Sequence, residues 1–120
     1  MPFAALAAFL LAIAVALGAF GAHALKERLD AYSLGVWEKA VFYHFVHALG
    51  MLIVASMAKL RTSSADLICW FLLAGILLFS GSLYMLALTG TRALGAVTPF
   101  GGVAFIIAWG VLCWSLLRNS

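Results

Sequence analysis

From Pro2 to Ala22 the chain reads PFAALAAFLLAIAVALGAFGA without a single charged residue. At the helical rise of 1.5 Å per residue this run extends about 30 Å, the thickness of a bilayer's hydrocarbon core. The whole chain is 67% hydrophobic and 9% charged, where a soluble domain is about half apolar and about a quarter charged. A water-facing surface cannot be built from such a composition, so the length of the apolar blocks becomes the guide to the fold.

Three more blocks follow, over residues 40–58, 67–88 and 99–117, each near the length a membrane helix needs. With residues 3–22 they make four expected spans in one transmembrane domain. Backbone groups in lipid must satisfy one another, which for four apolar blocks in so short a chain means helices rather than a barrel. The short connections KLRTSSAD at 59–66 and TGTRALGAVT at 89–98 require antiparallel neighbours. The expected fold is therefore all-α, a polytopic membrane protein forming an antiparallel four-transmembrane-helix bundle.

A secretory signal is the competing reading of the first block, since AHA at 22–24 resembles a small-x-small cleavage site. The missing basic n-region and the length of the apolar run favour a retained helix. Between the first two blocks, Leu25, Leu29, Tyr32, Val36, Ala40 and Tyr43 follow a three-to-four spacing. That spacing suits an interfacial helix between helices 1 and 2, with a bend at Gly35 before the second span; a solvated loop is the alternative. Tyr32, Trp37 and Trp70 are expected as anchors at membrane boundaries.

The net charge of +3 comes from Lys and Arg scattered singly, without a basic stripe, so no nucleic-acid partner is expected. Lys26 and Arg28 follow the first block, and no Lys or Arg precedes it. The positive-inside rule therefore leans toward both termini outside. Cys69 and Cys113 form no CxxC or Cys/His ligand spacing, and free thiols packed as small hydrophobes are expected. Small residues recur at Ala4, Ala8, Ala12 and Ala16, and again at Ala14, Gly18 and Ala22. Such rows suit close helix contacts, and Ala8, Ala12, Gly18, Gly21, Gly81, Gly101 and Gly102 are the candidate packing positions.

Antiparallel spans place GAFGAHAL at 18–25, YHFVHALG at 43–50, FSGSLYMLALTG at 79–90 and TPFGG at 98–102 toward one membrane face. His44 and His47, three residues apart, share a helix face, with Tyr43 one turn from His47. A polar cluster of His23, Tyr43, His44, His47, Ser80, Ser82, Tyr84 and Thr98 is expected there, with His47 pointing inward toward Ser80–Tyr84 or the Gly18–His23 segment. Thr98 is also placed as the N-cap of the last helix, ahead of Pro99.

Four chemistries fit those residue types. A metal site on His23, His44 and His47 lacks a carboxylate or thiolate ligand, and haem would need histidines facing one another from different helices. A proton or substrate relay fits an intramembrane histidine, although no Asp or Glu lies within a span. Interhelical hydrogen bonding is the reading preferred for all eight residues. No catalytic, metal or cofactor-binding residue is assigned, and no enzyme activity is expected. The function read from sequence is structural or accessory, with the bilayer and either further copies of the chain or a larger membrane complex as partners. A small transporter or channel is the first alternative, and a metal or haem binder the second.

The motifs GAFGAHALK at 18–26, the Trp37 to His47 region ending YHFVHAL, LFSGSLYMLALTG at 78–90, and TPFGG with AFIIAW at 104–109 resemble a family of small membrane proteins of the YwdK and YgdD kind, classed as a domain of unknown function. The resemblance spans nearly the whole chain and implies a four-helix integral membrane protein; a bacterial inner membrane is the expected location. It implies no reaction, cofactor or binding residues. One departure is Ala108 before Trp109, where similar proteins often carry Gly.

Overall fold

The computed structural model describes residues 1–57 and 64–118. The end of the expected second span at Ala58, the loop cations Lys59 and Arg61, and residues 119–120 lie outside the described residues. The described chain is helical, with four segments long and apolar enough to cross a membrane.

The first span is α1 (Phe3–Phe20), which runs on through a π-helical turn, Gly21–Leu25. The second is α2 (Ala31–Ser56). The third is α3 (Ser64–Gly75), continued by a π-helical turn at Ile76–Ser80 into α4 (Gly81–Thr89). A 3₁₀ turn, Arg92–Ala96, leads into the fourth, α5 (Thr98–Arg118). Gly90 ends α4 with φ 72°, a left-handed conformation in which glycine carries no Cβ penalty.

The interfacial helix with a bend at Gly35 does not form as expected; instead α2 runs unbroken from Ala31. Its start is set by Asp30, whose Oδ1 accepts from the Ser33 N–H at 2.7 Å and whose backbone is extended. Gly35 lies in open space inside this helix, so no neighbour forces a break. At 26 residues α2 is about 39 Å long. It therefore projects about two turns beyond a 30 Å hydrocarbon core, and the start of the polar segment, residues 31–36, forms that projection.

Contacts set the directions of the helices. Trp37 and His44 of α2 meet Leu17 and Leu10 of α1, so a step up one helix is a step down the other. Ser82 meets Thr98, Gly101 abuts Phe79 and Gly75 abuts Phe105, an antiparallel register of α5 on the third span. His47 on Phe105 and Gly50 on Trp109 run in step, making α2 and α5 parallel. The core gathers Ala48, Met51 and Val54 of α2 with Ile68, Cys69 and Leu72 of α3 and Phe105 and Ala108 of α5. α1 packs mainly on α2 and is the least buried span.

The small-residue rows divide on this geometry. Ala7 and Ala14 are fully buried, whereas Ala4, Ala8, Ala12 and Ala16 face outward, so Ala8 and Ala12 are not packing positions within the chain. Gly21 is one: a Cβ there would run into the Trp37 indole. At Gly101 it would run into the backbone of Phe79, and at Gly18 it would sit 3.4 Å from Val41 Cγ1. Gly81 and Gly102 have only ordinary contacts, at 4.0 and 3.9 Å. Gly50 and Gly75 are close-approach sites absent from the sequence reading; Trp109 lies over the first and Phe105 over the second.

Candidate functional site: a polar seam between the helices

His44 sits in the middle of α2 and is buried. It lies mid-helix because α2 starts nine residues before the apolar block that marked its sequence boundary. Its Nε2 lies 2.9 Å from the Leu10 carbonyl oxygen of α1, and its Nδ1 lies 2.8 Å from the Tyr84 hydroxyl of α4. A carbonyl only accepts, so Nε2 carries the proton. In the neutral ring Nδ1 is then the acceptor, and Tyr84 donates to it. One side chain thereby ties three helices together.

Trp37 repeats the arrangement seven residues earlier, its Nε1–H donating to the Leu17 carbonyl at 3.0 Å. It is buried against α1 and does not face the lipid; Gly21 makes room for its ring. Leu17 also accepts from the Gly21 N–H as α1 enters its π turn, which uses both lone pairs of the oxygen. Tyr32 and Trp70 are half exposed, with Arg92 over the Tyr32 ring at 4.7 Å and Phe3 edge-on to Trp70.

His47 points inward, as expected, but to a different neighbour. Its ring stacks on Phe105 of α5 with centroids 3.5 Å apart, and Trp109 lies 5.7 Å away. Its Nδ1–H donates to the Tyr43 carbonyl one turn back, at 2.7 Å. Tyr43 is half-buried and packs its ring on Phe79. Ser80, fully buried in the second π turn, donates to the Ala40 carbonyl at 2.8 Å. Ser82 donates to the Phe79 carbonyl at 3.0 Å and lies 2.7 Å from the Thr98 hydroxyl. Thr98 is the first residue of α5, and its hydroxyl reaches α4 instead of capping its own helix.

His23 is exposed on the first π turn and does not join the others. The expected cluster is thus a seam of distinct contacts: His44–Tyr84–Leu10, Ser80–Ala40, Ser82–Thr98 and the His47 stack. Among the described residues no three His, Cys, Asp or Glu side chains come close enough to share a metal ion. Both nitrogens of His44 are engaged, which leaves it no lone pair for a ligand. Every buried side-chain nitrogen or oxygen among the described residues has a hydrogen-bond partner. Cys69 is buried with its Sγ 3.9 Å from the Met51 carbonyl, while Cys113 is exposed on α5.

Sequence reasoning missed Trp37, Phe105 and Trp109 as members of the seam. The signal for Trp37 was present: Trp37, Ala40, His44, His47, Met51 and Val54 hold an unbroken three-to-four spacing, and all six are buried. Phe105 and Trp109 could not be singled out, since nothing local marks which aromatic of a membrane helix meets an imidazole.

The family model described as "Protein of unknown function (DUF423)" matches residues 17–102, which contain the seam apart from Leu10, Phe105 and Trp109. The chain is 50% identical over 99 residues to the UPF0382 membrane protein YwdK of Bacillus subtilis, covering 81% of this chain and 80% of that one. It is 48% identical over 100 residues to a UPF0382 membrane protein of Staphylococcus saprophyticus, 83% of each chain, and 46% identical over 106 residues to one of Staphylococcus epidermidis, 88% of this chain and 87% of that one. No solved structure matches the chain. With four apolar helices and this likeness along most of its length, the chain belongs to the DUF423 family, as a membrane protein of the UPF0382 group.

Proposed function

We propose that the protein is a non-enzymatic packing component of a bacterial plasma membrane, working as a homo-oligomer joined through the outer side of α1. The observation that carries this reading is the outward row Ala4, Ala8, Ala12 and Ala16 on the least buried span. Without large side chains, two such faces approach closely and gain dispersion contacts in lipid, where no hydrophobic force draws helices together. The bacterial plasma membrane is supported by the Bacillus and Staphylococcus sources of the relatives.

What favours this over transport is the state of the seam. His44 is held by two neighbours and His47 lies under Phe105, so the intramembrane imidazoles serve as cross-links between helices. The test is the oligomeric state in lipid nanodiscs or by energy transfer in liposomes at falling protein-to-lipid ratio. Wild type is expected to self-associate, and Ala8→Leu with Ala12→Leu to weaken association about tenfold or more, which is about 1.4 kcal/mol. A protein that stays monomeric at every ratio, or a variant that associates as well as wild type, overturns the reading.

A further inference from the structure

A cavity opens beside the seam, on the outer side of Trp37. It is a cleft of about 550 Å³ between the C-terminal end of α1 with its π turn and the N-terminal half of α2. Gly18, Gly21 and Ala22 form its floor and Val41, Phe42 and Phe45 much of its wall. The Trp37 ring closes the inner side with its N–H already bonded to Leu17, so the cleft meets apolar ring carbon there. Lys26 and Glu38 are its two charged lining residues. Both are exposed, and neither forms an ion pair among the described residues.

Depth identifies the kind of occupant. α2 projects beyond the hydrocarbon core, and counting about 30 Å, or about 20 residues, up from Ser56 puts the core boundary near Val36, within about 3 Å of Glu38. Lys26 follows directly on the π turn that ends the first span. The two opposite charges therefore stand at the edge of the core, within side-chain reach of the headgroups, and the apolar part of the cleft descends from them alongside the acyl chains. A soluble anion or cation would use one charge and leave the apolar wall empty. A lipid with one negative and one positive group on its head uses all three features.

We infer that this cleft is a binding site for a zwitterionic phospholipid with a primary ammonium head, of the phosphatidylethanolamine class. Lys26 pairs with the phosphate, Glu38 accepts hydrogen bonds from the ammonium, and an acyl chain lies over Gly18 and Ala22 against Phe42 and Phe45. A quaternary ammonium head has no N–H to donate, so phosphatidylcholine fills the same cleft less well. The site is independent of the outer alanine face, since it opens between α1 and α2.

The experiment is native mass spectrometry of the purified full chain in mild detergent, titrated in turn with phosphatidylethanolamine, phosphatidylcholine and phosphatidylglycerol of matched acyl chains. Wild type is expected to retain one phosphatidylethanolamine per chain, at least about fivefold above either other lipid. Glu38→Gln should abolish that preference, and Ala22→Phe, which fills the cleft from an exposed position, should lower retention of all three lipids. Both substitutions are at exposed residues, and circular dichroism is the check that each variant is folded. Equal retention of the three lipids by wild type, a preference for phosphatidylglycerol, or an unchanged ethanolamine preference in Glu38→Gln overturns the assignment.

Discussion

His44 illustrates how one residue type becomes structural in lipid. An imidazole in hydrocarbon needs partners for both nitrogens, and here a carbonyl of α1 and a hydroxyl of α4 supply them. His44→Phe should therefore destabilise the fold by about 1–4 kcal/mol, two interhelical bonds at about 0.6–2 each, and Tyr84→Phe by about half as much. Unfolding in mixed micelles with increasing denaturing detergent measures both, and a His44→Phe variant as stable as wild type would make the seam dispensable. The glycines give a sharper comparison. A Cβ at Gly101 would run into the Phe79 backbone, whereas one at Gly102 meets only an ordinary 3.9 Å contact. Gly101→Ala should cost about 1–3 kcal/mol and Gly102→Ala close to nothing in the same assay. Both glycines looked alike in TPFGG; the difference arises from which side of α5 turns to Phe79.

At the scale of elements, α2 is where local chemistry and hydropathy gave different boundaries. Hydropathy marks a span from residue 40, because Glu38 and Lys39 interrupt the apolar run. The helix starts at Ala31, because the Asp30 side chain satisfies the Ser33 N–H and nothing between them breaks the helix. The hydrogen bonds from Ser33, with a smaller contribution from the Arg92 charge, hold the Asp30 carboxyl below its ordinary pKa. Its sign is that of a depressed acid: the cap's contribution is complete above the ordinary carboxylate range and is lost as pH falls through the lowered value. Protection of the amides of residues 31–34, taken relative to their intrinsic exchange rates, should accordingly fall below about pH 4. Asp30→Asn should abolish that pH dependence while keeping a cap. An unchanged pH profile in Asp30→Asn would remove Asp30 as the titrating group. The two π turns, at Gly21–Leu25 and Ile76–Ser80, were not legible as breaks in sequence periodicity, since each shifts the register by a fraction of a turn inside an apolar run.

For the whole molecule, the pairing of spans follows from where large rings find missing side chains. Phe105 lies over Gly75, Trp109 over Gly50 and Trp37 over Gly21, three ring-on-glycine contacts that lock α5 to α3, α5 to α2 and α2 to α1. Gly75→Leu should displace Phe105 and with it the ring stacked on His47, loosening the bundle by about 1–3 kcal/mol without unfolding the individual helices. Circular dichroism with a detergent melt checks both halves of that statement. Helix number and antiparallel order were legible, since block length and loop length alone dictate them. The outward face of α1 was not: the rows Ala4–Ala16 and Ala14–Ala22 have the same four-residue spacing, and only one turns toward α2.

By itself the sequence determined that this is a four-helix membrane protein whose helices carry histidines and hydroxyls in their interior, because lipid demands long apolar helices and polar groups that satisfy one another. Only the tertiary structure decided which polar groups meet. It sent His44 to α1 and α4, His47 to the rings of α5, and His23 to the surface. The physical reason is that hydropathy is a property of each residue summed along the chain, whereas a hydrogen bond across a bundle depends on the rotation and depth of two helices, and those are set by packing among residues far apart in sequence.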